Sequence, residues 1–231
     1  MRSTRPEAAR WVGNVHSVSV ERALADCERF GLWSPEDVRT CVIAALQQHL
    51  ASPARIRAEL DAGRLNKTAG GRQGLADFEA GAWSIPEAVL IRLLRCRWRS
   101  LTIIPNAVLT TPHGTYIGRP DVYLPTFGIA IQVHSRAHHS GFDPAGRDLW
   151  ASTLDHDSRY PQHGITLIPV APTLLRDVPG RFLDRVAGTM RRRRGLPLPD
   201  MVINPGRGQS WRRVDPPQGS PRSNETRRPS A

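Results

Sequence analysis

Apolar residues recur at helical spacing in the first third of the chain, then shift to short continuous runs typical of buried strands. Residues 17–82 therefore predict short helices. Ser19 is placed to cap a helix that runs to Phe30 and stops at Gly31. Ser34-Pro35-Glu36-Asp37 supplies a cap, a proline at the first helical position and acids in the first turn. Val38, Val42, Ala45, Leu46 and His49 follow at helical spacing. Ser52-Pro53 restarts a helix with Ile56 and Leu60 on one face, ending near Gly63. Arg55, Arg57, Arg64, Lys67 and Arg72 form a charged face, expected to be solvated.

From Ser84 the pattern changes. Ser84-Ile85-Pro86-Glu87 has capping-box spacing, and Val89, Leu90, Leu93 and Leu94 give the next helix an apolar side. Ile103-Ile104 and Ala107–Thr111 predict strands, with Pro112-His113-Gly114 as a hairpin turn. The next strand is expected to start at Tyr116 and to carry Asp121 towards its end. Gly128–Val133 is nearly all apolar, as in a central strand covered on both faces. A helix over 145–162 precedes Ile165–Val170, a second such strand, and a helix with Phe182, Val186 and Met190 ends in Arg191–Arg194. After Gly195 the chain turns to Pro, Gly, Ser and Arg without periodicity.

These elements predict an α/β fold, a mixed sheet flanked by helices and preceded by a small helical module. The expected divisions are an extension over 1–16, the helical module over 17–82, the α/β domain over 83–194 and a disordered basic tail over 195–231.

Charge narrows the function classes. The 231 residues carry a net charge of +11, which favours a polyanionic partner, DNA first among them. Lys67 is the single lysine among 32 basic residues, a bias that GC-rich coding also produces. Cys27, Cys41 and Cys96 show no CxxC spacing and suit free thiols in a reducing compartment. No apolar N-terminal core and no membrane-length apolar run occur, so a cytoplasmic protein with no membrane association is expected.

The candidate chemistry lies on two adjacent strands. Side chains two apart on a strand face the same way, so Gln132 and His134 share a face on which Asp121 can converge. Metal-assisted phosphodiester hydrolysis needs carboxylates around Mg²⁺. Asp121 and Asp157 supply them, and Glu87 can reach in from its helix or serve only as a cap. Gln132 offers a neutral oxygen, and the His134 imidazole suits Mn²⁺ or Zn²⁺ better than Mg²⁺. Asp121, His134 and Asp157 are the candidate ligands, with His138, His139 and His156 nearby in sequence. Arg119, Arg136, Arg191, Arg192, Arg193 and Arg194 are the candidate nucleic-acid contacts, and Trp211-Arg212-Arg213 adds a further one in the tail.

Five of these elements, in this order, resemble a family pattern. From Ser19 to Pro205 the chain resembles actinobacterial proteins with a restriction-endonuclease-like domain of PD-(D/E)XK type. These are related to very-short-patch repair endonucleases and described also as abortive-infection type IV antitoxin-like. The matching segments are Ser84-Ile85-Pro86-Glu87, Arg119-Pro120-Asp121, and Gln132-Val133-His134-Ser135-Arg136 with His139, followed by Asp155-His156-Asp157-Ser158 and Gly164. The resemblance implies a nuclease site with catalytic positions at Glu87, Asp121, Gln132, His134 and Asp157, using Mg²⁺ or Mn²⁺. Two positions depart from the pattern: Gln132 stands where the family has Glu, and His134 where it has Asp. Losing two carboxylates weakens cation binding, so a protein using no metal is the alternative expectation. Relatives of this kind carry a winged-helix segment that does not fit before Ser19, which suggests a shortened version.

Four readings follow, in order of preference. The first is a degenerate nuclease fold that binds nucleic acid or acts as a regulator. The second is an active metal-dependent endonuclease with an altered Asp/His site. The third is a protein-interaction module of a toxin–antitoxin-like system, which needs a protein partner. The fourth is a remnant without function.

Overall fold

The structure, a computed structural model, describes residues 10–62, 67–134, 142, 146 and 148–205. A short hairpin, β1 (Arg10–Val12) and β2 (Val15–Ser17), turns at Gly13 and leads into four helices. Helix α1 (Val20–Arg29) starts where Ser19 Oγ accepts the Arg22 N–H at 3.2 Å. It ends at Gly31, whose φ of 67° lets the Leu32 N–H reach back to Cys27 O at 2.9 Å. Helix α2 (Pro35–Gln47) carries a full capping box between Ser34 and Asp37. Helix α3 (Pro53–Asp61) is capped by Ser52.

Helix α4 (Ala69–Glu79) has the sequence AGGRQGLADFE, whose glycines hide it from a pattern search. Its glycines are required by packing. A Cβ on Gly70 would lie 2.0 Å from Pro35 O, and one on Gly74 would lie 2.7 Å from Arg39 O. Backbone contact with α2 replaces the side-chain layer of ordinary helix pairs. Glu28 supplies the anion at the α4 N-terminus, accepting from Gly70 N–H at 2.7 Å and Gly71 N–H at 2.9 Å. Leu24, Val38, Val42, Leu46, Ile56 and Leu75 close one apolar core among α1–α4. Three arginines of the expected charged face are ion-paired: Arg55 with Glu21, Arg57 with Glu79, and Arg72 with Asp61. Arg64 lies outside the described residues.

Helix α5 (Ile85–Arg97) then leads into two sheets. One has the order β3 (Ile104–Pro105), β6 (Val122–Leu124), β7 (Ile129–Val133), β8 (Thr166–Val170). Its first two pairings are antiparallel, and β7–β8 is parallel, with helix α6 (Leu149–Gln162) as the crossover that parallel strands need. The other sheet is antiparallel, with β4 (Val108–Thr110) between β5 (Tyr116–Gly118) and β9 (Val202–Asn204). Helix α7 (Pro172–Asp177) and helix α8 (Pro179–Arg193) follow β8. Leu90 and Leu94 of α5 and Phe182 and Val186 of α8 cover one face of β7 at Ile129 and Ile131. Tyr160 of α6 covers the other, in a cluster with Ala130 and Ile165. This is a mixed α/β architecture, as the pattern predicts.

Three expectations are corrected. The strand expected to run from Tyr116 through Asp121 ends at Gly118, and Asp121 lies in a bend before β6. Pro120 has no N–H to give a ladder, so the chain passes there from one sheet to the other. Helix α6 begins at Leu149 rather than near 145, because Asp148 Oδ1 caps it by accepting the Trp150 N–H at 2.8 Å. The segment after Gly195, expected to be disordered, returns as β9 on the edge of β4. Pro and Gly around it mask the short apolar run Met201-Val202-Ile203. Residues 206–231, with Trp211, Arg212 and Arg213, lie outside the described residues. Among those described, no helix is long and apolar enough to cross a membrane.

Candidate functional site

Glu87 sits in the first turn of α5 and is buried. Ser84 Oγ accepts the Glu87 N–H at 3.3 Å and donates to Glu87 Oε1 at 2.8 Å. Glu87 Oε2 accepts the Trp83 N–H at 3.0 Å and the Asn106 amide at 2.9 Å. The reciprocal bond reaches one residue past the usual capping-box position. Asn106 also donates to Gly81 O at 2.9 Å, and its left-handed φ of 51° aims the amide there. Glu87 is thus both a cap and a neighbour of the candidate site.

Asp121 faces the end of β7. Its Oδ2 accepts the Val133 N–H at 2.6 Å. One residue on, His134 Nε2 lies 2.7 Å from Asp157 Oδ2, with both side chains largely shielded. Gln132, His134, Ser152, His156 and Asp157 line a cavity of about 270 Å³ at the carboxyl end of β7, with Trp150 edge-on to His134. The carboxyl ends of parallel strands are where open α/β sheets bind ligands. Gly118 is fixed by this packing, since a Cβ there would lie 2.7 Å from the Tyr160 hydroxyl.

Electrostatics join the acids into one cluster. Burial pushes Asp121 well above the usual carboxylate range, and the Glu87 charge pushes the same way. The Val133 hydrogen bond opposes this, and Asp157 adds a smaller upward push. Burial, helped by the Arg159 charge, holds His156 below the usual imidazole range against the opposing pull of Asp157 and Asp155.

A divalent cation of the Mg²⁺ type needs several hard oxygens directed at one point. Here both Glu87 oxygens, Asp121 Oδ2 and Asp157 Oδ2 already hold protein partners. Among the described residues, Gln132 Oε1 and Asp157 Oδ1 are buried acceptors without a hydrogen-bond partner, and one of them belongs to a neutral amide. Among the described residues no group of three His, Cys, Asp or Glu side chains is arranged to hold an ion. Asp121, His134 and Asp157 are brought together, but as two protein hydrogen bonds more than as an open ligand set. Among the described residues, this donor set is poor in free carboxylate oxygens for Mg²⁺.

The arginines divide. Arg193 is structural: its Nε donates to Phe127 O at 2.9 Å and its Nη2 to Pro197 O at 3.1 Å. Phe127 precedes β7 and His134 follows it, so the arginine run and the acidic cluster lie at opposite ends of a strand spanning roughly 20 Å. Arg191, Arg192 and Arg194 are exposed, and Arg192 donates to Thr189 Oγ1 at 3.1 Å. Arg119 is exposed, with its guanidinium 5.0 Å above the Trp83 ring. Arg136, His138 and His139 lie outside the described residues.

Sequence reasoning missed Asn106 and Trp83. The signal for Asn106 was present: a lone Asn between two strands is a residue that tolerates positive φ. The chain matches no protein-family model, no curated protein and no solved structure.

Proposed function

We propose that this chain is a restriction-endonuclease-like protein that binds nucleic acid without cutting it. The observation that carries the reading is the engagement of Glu87, Asp121 and Asp157 by the protein's own donors, with Gln132 and His134 where a cation would need acids. The order of helix α5, the strands β3, β6 and β7, crossover α6 and parallel β8 supports the nuclease-like scaffold.

Charge supports the partner. Arg22, Arg29, Arg39, Arg55, Arg57 and Arg72 of the helical bundle pair with acids of the same bundle, Arg39 with Asp77 at 2.6 Å. Arg119, Arg181, Arg185, Arg191 and Arg194 are exposed and make no ion pair among the described residues. Unneutralised guanidiniums on a chain of net charge +11 suit phosphate. Retention of plasmid DNA on a gel across a salt series tests the binding half of the proposal. Binding that weakens log-linearly with salt is expected; a mobility unchanged by protein at low salt rejects it.

A further inference from the structure

A second cavity, about 480 Å³, lies where the helical bundle meets the α/β layer, lined by Leu46, His49, Phe78, Trp83, Val108 and Arg119. Its size falls within the range of small-ligand pockets. Leu46 belongs to the bundle core and Val108 to β4, so neither half of the fold makes this cavity alone.

Its chemistry is mixed in a particular way. Leu46, Phe78 and Val108 give apolar walls, and the Trp83 indole gives an aromatic plate. The Arg119 guanidinium lies 5.0 Å from the centre of that ring and makes no ion pair among the described residues. A guanidinium on an indole presents a flat, cationic surface on which a second planar group can stack. An apolar ligand alone would leave that charge uncompensated, and a bare anion would leave the apolar walls unused. A planar ring bearing a phosphate satisfies both.

The cavity also adjoins the acidic cluster. Trp83 forms its wall and donates its backbone N–H to Glu87, whose charge acts on Asp121. Arg119 is two residues before Asp121. We infer that the cavity accepts one unstacked base of a single-stranded nucleic acid, held between Phe78 and the Arg119–Trp83 pair, with Arg119 on the adjoining phosphate. This rests on the nucleic-acid reading above and specifies the form of the strand it takes.

Arg119→Gln is the main variant, since its side chain is exposed and makes no hydrogen bond among the described residues. Trp83→Leu is the second, accepted once its melting curve matches the parent. The probe is a short single strand carrying 2-aminopurine, whose emission falls on stacking, beside a blunt duplex of the same length. The parent should bind the single strand and quench the probe. Arg119→Gln should weaken that binding by about 5- to 100-fold, the span of one lost stacking contact, and restore the emission. Duplex binding should fall by much less. Single-strand binding without quenching, or with unchanged affinity in Arg119→Gln, overturns the pocket and leaves the nucleic-acid reading standing. No binding of either probe by the parent overturns both.

Discussion

Asp157 Oδ2, on helix α6, lies 2.7 Å from Nε2 of His134, the residue that follows β7. The imidazole gives the shielded Asp157 carboxylate a hydrogen-bond partner. Each acid of the cluster has its own partner: Asp157 is answered by His134, Asp121 by the Val133 N–H, and Glu87 by Ser84, Trp83 and Asn106.

Placing acids at positions 132 and 134 should therefore harm the fold. The double variant Gln132→Glu/His134→Asp removes the Asp157 partner and adds two charges to a shielded cluster. A loss of about 1–3 kcal/mol is expected, a fall of several degrees in Tm. Mn²⁺ should recover part of that loss in the double variant and leave the parent's Tm unchanged. A parent Tm that rises with Mn²⁺ would show that the present donors already hold a cation.

Asp121 sets a pH dependence. Its folded pKa lies above the unfolded value, so the folded state retains the proton more strongly. The stability it contributes is present below the unfolded carboxylate pKa and is lost as pH rises through the folded one. Asp121→Asn keeps an oxygen for the Val133 N–H and removes the charge. It should melt higher than the parent at pH 7, by a margin that shrinks towards pH 4. A margin constant across that range would contradict the assignment.

The arginine run should separate by role. Arg193→Ala leaves Phe127 O without its guanidinium and should cost about 1.5–3 kcal/mol in urea denaturation. Arg191→Ala and Arg194→Ala should leave stability within about 0.5 kcal/mol of the parent. If these exposed cations meet phosphate, each should lower the log–log salt slope of DNA retention by about 0.9. A large stability loss in Arg191→Ala would reverse the division.

Gly70→Ala tests the backbone contact between α2 and α4. Alanine gains about 1 kcal/mol of helix propensity over glycine. Its Cβ would stand 2.0 Å from Pro35 O, an overlap that must shift the helix. The steric cost should win, with a net loss of about 1–3 kcal/mol in urea. A stabilised Gly70→Ala would mean that the helices part without cost.

Helix starts were legible because Ser19, Ser34, Ser52 and Ser84 are local signals, each satisfied within its own turn. Strand β7 was legible because burial on both faces makes Ile129–Ile131 continuously apolar. Strand β8 was expected as a second central strand, but among the described residues it is the last strand of its sheet, with Pro169 exposed, a position where a residue without an N–H is tolerated. Helix α4 and strand β9 were not, since one is held by glycine contacts with α2 and the other by the edge of β4. The candidate residues were legible one by one. Their pairing was not: the 2.7 Å contact of His134 with Asp157 depends on α6 crossing over β7, which spacing alone does not reveal.

The measurement closest to the central claim is nicking of supercoiled plasmid by the parent protein in Mg²⁺, Mn²⁺ or Zn²⁺, beside Asp121→Ala. The account predicts that the parent retains the plasmid and leaves it supercoiled in every metal. Metal-dependent nicking that disappears in Asp121→Ala would contradict it, and would make Asp121 a working residue of an active site.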